Sequence, residues 1–220
     1  AGAVKDCKVE IVWIQSEDIR EENCLELLSD LNGILVAPGF GERGINGKIN
    51  AIKIAREHDI PFFGICLGMQ CAVVEFARNV LKLNGASSTE IDNKPLHPVI
   101  DIMENQKNIK KMGGTMRLGA YTCILEEDSL ASKVYGQHEI SERHRHRYEF
   151  NNDYLSKFRE AGMIASGINQ ETGLVEIMER NDHPWFIATQ FHPELKSTVV
   201  NPHPLFVGFV DAALKHTKNQ

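Results

Sequence analysis

Gly64-Ile65-Cys66-Leu67-Gly68 sets a cysteine between two glycines at the point where an apolar run meets a helical pattern. Upstream, Ile60-Pro61-Phe62-Phe63-Gly64-Ile65 suits a short buried parallel strand, with Pro61 tolerated at its start. Downstream, Leu67, Val73, Val74, Phe76, Ala77, Val80 and Leu81 recur at helical spacing and predict a helix over 67–81. A strand that turns directly into a helix is crowded, and glycines on both sides of the turning residue relieve that crowding. Cys66 then stands at the positive end of the helix, where unpaired amides favour a thiolate over a thiol. An ordinary free cysteine is a buried packing residue; the flanking glycines make Cys66 a displayed nucleophile.

A cysteine nucleophile normally works with a base, and the base with a group that orients it. Trp185-Phe186-Ile187-Ala188-Thr189-Gln190-Phe191 reads as a strand and runs straight into His192-Pro193-Glu194. Residues two apart in extended chain point the same way, so His192 and Glu194 share a face at a strand's carboxyl end. Ligand sites in open α/β sheets lie outside the carboxyl ends of the strands, which is also where Cys66 is expected.

A glycine-rich loop, Pro38-Gly39-Phe40-Gly41-Glu42-Arg43-Gly44, follows the strand pattern of residues 33–37. Gly39, Gly41 and Gly44 match the G-x-G-x-x-G dinucleotide fingerprint, with Asp59 at about the right separation for the ribose acid. That acid belongs at the carboxyl end of the second strand, whereas Asp59 precedes the Ile60 strand and falls at the opposite edge of the sheet, so the match is rejected. The glycines instead allow backbone amides to approach a carbonyl that becomes an oxyanion, and Gly39 N–H with Leu67 N–H is the candidate pair.

Together these segments resemble the class I glutamine amidotransferases, the Cys-His-Glu glutaminases. Ser88-Thr89-Glu90, the Gly113 to Gly119 loop and the Glu142 to Glu149 segment are similar to the CTP synthase branch of that family, and the resemblance runs from about Gly33 to the C-terminus. It implies Cys66 as nucleophile, His192 as general base and acid, Glu194 as its orienting partner, and Gly39 and Leu67 as oxyanion donors. It further implies that Gln70, Glu90 and Arg145, with the backbone of Gly39 and Leu67, hold glutamine's amino acid head. The chemistry agrees, since an ammonium group wants a carboxylate and a carboxylate wants a planar guanidinium fork. Without the resemblance, Glu90 reads as an exposed loop residue.

In the Glu142 to Glu149 segment, Arg143, Arg145 and Arg147 alternate with His144 and His146, so a strand there shows arginines on one face and histidines on the other. A two-histidine metal site, an RNA patch and a solvated charged strand are open readings of the residues alone. The resemblance adds a fourth, an anion-binding strand lining the glutamine pocket. The chain departs from the family at Pro38, where a glycine is usual; proline has no N–H to donate, but Gly39 retains one. The resemblance also implies a strand and a helix ahead of Val9-Glu10-Ile11-Val12-Trp13, and only eight residues precede Val9. The chain is therefore expected to be a fragment lacking its first strand and helix, together with an N-terminal synthetase domain.

Strand and helix patterns alternate: strand about 9–13, helix 20–29, strand 33–37, helix 46–58, strand 60–65, helix 67–81, then a strand-rich stretch from 98 to 125, a hairpin-like pair at 162–168 and 174–179, and a last helix at 203–216. The stretch from 84 to 97 reads as loop, and Gln106–Lys111 as polar and mobile. The expected fold is α/β: an open, mostly parallel sheet with helices on both faces, in one domain over residues 1–220. A net charge of −6 argues against a general nucleic-acid binder, no apolar stretch approaches the ~20 residues that span a bilayer, and five cysteines without metal spacing favour a reducing, cytoplasmic setting.

The implied activity is hydrolysis of L-glutamine, with the ammonia passed to the synthetase domain for ATP-dependent amination of UTP to CTP. No cofactor or metal is expected in this chain; ATP and magnesium belong to the synthetase domain. GTP is implied as an activator through the Gly113 to Gly119 lid, and a homo-tetramer for the full-length enzyme. Two other readings stand beside it: a free-standing Cys-His-Glu γ-glutamyl hydrolase, and a non-catalytic docking module.

Overall fold

The computed structural model describes residues 1–102 and 116–217. The Gln106–Lys111 segment and residues 113–115 of the glycine-rich lid lie outside the described residues.

The first half alternates strand and helix. α1 (Cys24–Leu28) precedes β1 (Ile34–Val36), α2 (Ile45–Glu57), β2 (Phe62–Ile65) and α3 (Leu67–Asn79). β3 (Ala86–Ser88) and β4 (His97–Ile102) lead to β5 (Arg117–Leu125), α4 (Leu130–Tyr135), β6 (Glu139–His146) and β7 (Tyr148–Phe150). α5 (Leu155–Glu160), β8 (Met163–Ile168), β9 (Val175–Arg180), β10 (Phe186–Thr189) and α6 (Pro204–Thr217) complete the described order.

The main sheet has seven strands in the order β1-β2-β10-β9-β8-β5-β6, and β3-β4-β7 form a small second sheet. The α/β class holds, with a mixed sheet in place of a mostly parallel one. β2 pairs in parallel with β1 and β10, as the strand–helix rhythm requires. From β10 outward every pairing is antiparallel. The reason is local: the connections from β8 to β9 and from β9 to β10 are short turns, which return the chain antiparallel, whereas a parallel neighbour needs a long crossover.

Side-chain alternation along the buried strands divides the interior into two cores. Phe62, Phe186 and Ala188 face α2 and α3 and join Ile49, Ile52, Val73 and Phe76. Phe63, Ile65 and Ile187 face the other way, where Leu205, Phe206 and Phe209 of α6 and Ala131 of α4 cover them. Helices thus lie on both faces of the sheet. The inward stripe of the last helix is borne out at Leu205, Phe209 and Ala212.

The apolar run at 9–13 is not a strand. It pairs with no strand among the described residues, and Val9, Ile11, Val12 and Trp13 are exposed; apolar alternation alone gives no ladder hydrogen bonds. The stretch at 84–97, expected to be loop, contains β3, whose partner β4 lies immediately downstream. All five cysteines are free thiols, and no helix among the described residues is long and apolar enough to cross a membrane.

Candidate active site

Cys66 occupies the turn between β2 and α3 with φ 53° and ψ −103°, a conformation that L-residues rarely hold and that the surroundings must enforce. The glycines on either side explain how. A Cβ on Gly68 would run into the carbonyl oxygen of Val36 in β1, and one on Gly64 would stand 2.9 Å from the carbonyl oxygen of Gly68. The first turn of α3 therefore lies directly on the sheet backbone. The Cys66 N–H donates to Thr189 O at the end of β10 (2.7 Å). Leu67 is the first residue of α3, so its N–H has no carbonyl within the helix to bind. Gly39 sits beside it: a Cβ there would be 3.1 Å from Leu67 Cδ2.

Because β2 and β10 are parallel neighbours, their carboxyl ends lie together, and the residues that follow them meet. His192 is buried, and its Nδ1–H donates to Glu194 Oε1 at 2.6 Å. Glu194 lies in a 3₁₀ turn, Pro193–Lys196, that begins directly after His192. Nε2 of His192 is buried and makes no hydrogen bond of normal geometry among the described residues, while the Cys66 sulfur lies close enough to act on the ring. Burial works against a charged imidazole here, but Cys66 and Glu194 outweigh it and raise the His192 pKa to about 10. The imidazolium is the form this site favours.

Gln70 is buried one turn into α3, and its Nε2 donates to Tyr148 O (3.2 Å) and to Gln190 Oε1 (3.3 Å). Glu90 reaches the glycine-rich loop, where its Oε1 accepts the Gly41 N–H at 3.1 Å. Seven of the eight candidate residues thus group around the ends of β2 and β10 and the loop beside them. Arg145 is placed differently. Burial alternates along β6, leaving Arg143 and Arg145 exposed and His144 and His146 inside, and Arg145 is not joined to Gln70, Glu90 or Cys66 by a hydrogen bond or ion pair. The alternation ends at Arg147, a half-buried bend residue next to Tyr148.

Several contributors were not legible beforehand. The His192 N–H donates to Arg143 O of β6 (2.8 Å), so the last strand of the sheet curls back to the end of β10. His144 packs edge-on against Phe191, with ring centroids 5.9 Å apart. His146 donates from Nδ1 to Tyr148 O (3.3 Å), which leaves its Nε2 to accept from His144 Nδ1 (2.8 Å). Burial, reinforced by the nearby Arg117 cation, pushes His144 to about 2 and His146 to about 3, so both rings are neutral. Arg117 is held between Glu176, at 2.5 Å, and Glu149, at 3.6 Å, and burial raises the pKa of both carboxyls. The two histidines bond each other and the Tyr148 carbonyl as an interior support; no group of three or more His, Cys, Asp or Glu among the described residues is arranged to hold a metal. Behind the 3₁₀ turn, buried Glu142 accepts from Tyr135 Oη (3.1 Å) and His203 Nε2 (3.0 Å), and Lys196 Nζ reaches Ser141 O (2.5 Å), pinning the segment that carries Glu194 onto β6.

Comparison with known proteins agrees with this architecture. The family model for class-I glutamine amidotransferases matches residues 1–212. CTP synthase of Cytophaga hutchinsonii is 61% identical over 220 residues, which is all of this chain and 41% of the relative. CTP synthase of Christiangramia forsetii is 59% identical over 220 residues and 40% of its length. The chain therefore spans about two fifths of the curated relatives it matches. Among solved structures, the glutaminase domain of Trypanosoma brucei CTPS with bound acivicin superposes with a TM-score of 0.92 at 37% identity, covering 97% of this chain and 84% of that one. The chain belongs to the class I glutamine amidotransferase family, in the branch of the CTP synthase glutaminase domains.

Proposed function

We propose that this chain hydrolyses L-glutamine to glutamate and ammonia through a γ-glutamyl thioester on Cys66, as the glutaminase domain of a CTP synthase. The observation that carries the reading is the elbow: Cys66 in a strained turn, its backbone tied to β10, facing an imidazole that Glu194 holds at 2.6 Å.

In this reading the Cys66 sulfur attacks the side-chain carbonyl carbon of glutamine, and the carbonyl oxygen becomes an oxyanion that accepts from Gly39 N–H and Leu67 N–H. Removing one such donor typically costs about 3 kcal/mol of transition-state stabilisation. Collapse breaks the C–N bond, and His192 gives its proton to the departing ammonia. The neutral imidazole then takes a proton from water, whose oxygen attacks the thioester carbon; the C–S bond breaks, glutamate leaves, and Cys66 returns as a thiolate beside protonated His192. Glu194 holds Nδ1 protonated throughout and keeps Nε2 on the reacting side. Gln70, Glu90 and Arg145 receive the amino acid head.

The wider assignment is drawn from the family resemblance. Ammonia passes to a synthetase domain that aminates UTP to CTP with ATP and magnesium, in a cytoplasmic homo-tetramer activated by GTP. This chain is one domain of that enzyme. Its own residues offer no lysine-bearing phosphate loop, so ATP and magnesium are assigned to the synthetase part.

The test is labelling with 6-diazo-5-oxo-L-norleucine, a glutamine-like electrophile, and mass spectrometry of the product beside a Cys66→Ala control. An adduct on Cys66 alone that glutamine suppresses is the expected result. No adduct, either on this chain or with the synthetase domain supplied, would sink the catalytic reading.

A further inference from the structure

Gln190 lies between the two groups of the proposed chemistry and belongs to neither. It is fully buried, in the bend that follows β10 and two residues before His192. Its Nε2 lies 3.7 Å from Cys66 Sγ, within hydrogen-bond range for sulfur. Its backbone is fixed, since Gln190 N–H donates to Glu176 O at 2.8 Å and its neighbour Thr189 accepts the Cys66 N–H at 2.7 Å.

A carboxamide has two ends of opposite polarity and similar shape, so its orientation must be set by its partners. Here the setting starts from a group with no choice. Tyr148 O can only accept, so the Gln70 end that faces it, at 3.2 Å, must be the amino group. That same amino group lies 3.3 Å from Gln190, which must therefore present its oxygen to Gln70. The amino end of Gln190 is left facing the sulfur. With the carboxamide reversed, two amino groups would oppose each other and an oxygen would face Sγ.

We propose that Gln190 is a donor that holds the Cys66 sulfur in its anionic form, oriented for that task by Gln70 and the Tyr148 carbonyl. A hydrogen bond to the charged form of a group favours that form, and a buried setting strengthens it. The inference rests on Cys66 being the nucleophile. It gives Gln70 a second duty beyond the substrate contact, compatible with the first because its oxygen is not engaged by the relay.

The titratable groups on the elements packed around the sulfur are His192 and Glu194 after β10, His144 and His146 on β6, Glu176 on β9 and Arg117 on β5. The first turn of α3 contributes only Leu67, Gly68, Met69 and Gln70. Among these His192 is the group on which Cys66 acts directly, so the contribution of Gln190 must be measured with His192 intact.

The experiment follows alkylation of Cys66 by iodoacetamide against pH, with the adduct quantified at that residue by mass spectrometry. It uses the full chain, Gln190→Glu, Gln190→Met and Gln70→Met. Gln190→Glu keeps the shape and replaces the donor with an acceptor; Gln190→Met removes the donor; Gln70→Met frees Gln190 to turn. The expected result is a rise in the alkylation midpoint of at least one pH unit in Gln190→Glu, equal to about a tenfold slower reaction below the midpoint, with smaller rises in the same direction for the two methionine variants. A purely structural role would lower the melting temperature and leave the midpoint in place. An unchanged midpoint in any folded Gln190 variant overturns the proposal. If the midpoint rises in the Gln190 variants but glutamine neither protects Cys66 nor is hydrolysed, the glutaminase reading fails while the role of Gln190 at the sulfur stands.

Discussion

The main-chain N–H of His192 donates to the carbonyl oxygen of Arg143 at 2.8 Å, although their strands stand third and seventh in the sheet order. The outermost strand thereby braces the segment that carries the imidazole. On that strand His144 packs on Phe191 and bonds to His146. His144→Ala removes the ring contact and leaves the buried His146 Nε2 without its donor. It is expected to destabilise the fold by about 2–3 kcal/mol and to lower kcat, both read from urea unfolding and a glutamate-release assay. An unaltered unfolding midpoint would show that His144 does not brace this segment.

The close approach of α3 to β1 makes a second prediction. Gly68→Ala places a methyl group against the backbone oxygen of Val36, and backbone cannot rotate aside. A loss of about 3 kcal/mol is expected, together with loss of Cys66 labelling because the turn is displaced. Retained stability would show that α3 has room to lift.

The pH dependence turns on Glu194. Burial disfavours charge on His192, and Cys66 and Glu194 reverse this to hold it near 10. Because the folded pKa is raised, the stabilisation is fully present below the unfolded value of about 6.5 and fades as pH climbs through about 10. In the proposed mechanism the same proton goes to the leaving ammonia, so kcat is expected to fall on the alkaline side. Glu194→Gln removes one raising partner, and the alkaline limb of the kcat profile is expected to move to lower pH. A limb that stays in place would mean that Glu194 does not set it.

Glu90 and Arg145 are assigned to the ends of the amino acid head. Glu90→Gln keeps an oxygen for the Gly41 N–H but loses the charge, and about a tenfold rise in KM for glutamine with kcat within twofold is expected. Arg145→Ala is expected to do the same. Arg147→Ala, run in parallel, separates the exposed arginine from the half-buried one beside Tyr148; a KM effect confined to Arg147 would transfer the carboxylate to that residue.

Local sequence pattern carried the elbow well, because two glycines, an apolar run and a helical stripe all bear on one turn. It also put His192 next to Glu194, although the 3₁₀ turn over Pro193–Lys196, and not extended chain, brings the two side chains together. It did not reveal which face of β6 is interior, because alternating Arg and His gives two polar faces with no apolar side to mark the core. Burial there is set by Arg117, Glu149 and Glu176, which come from three other parts of the chain. Gln190 carries no signal in the sequence, because a glutamine has no distinct chemistry until its neighbours fix which end faces the sulfur. The run at 9–13 shows the opposite failure: its composition suits a strand, and pairing is a matter for a second segment.

Cys66, Gln190 and His192 are each held by a main-chain N–H given to a main-chain carbonyl, of Thr189, Glu176 and Arg143 respectively. None of the six groups involved belongs to a side chain. The layout of the site is therefore independent of the reactive atoms mounted on it, and chains with Cys66 or His192 silenced should serve as faithful casts for capturing an intact substrate.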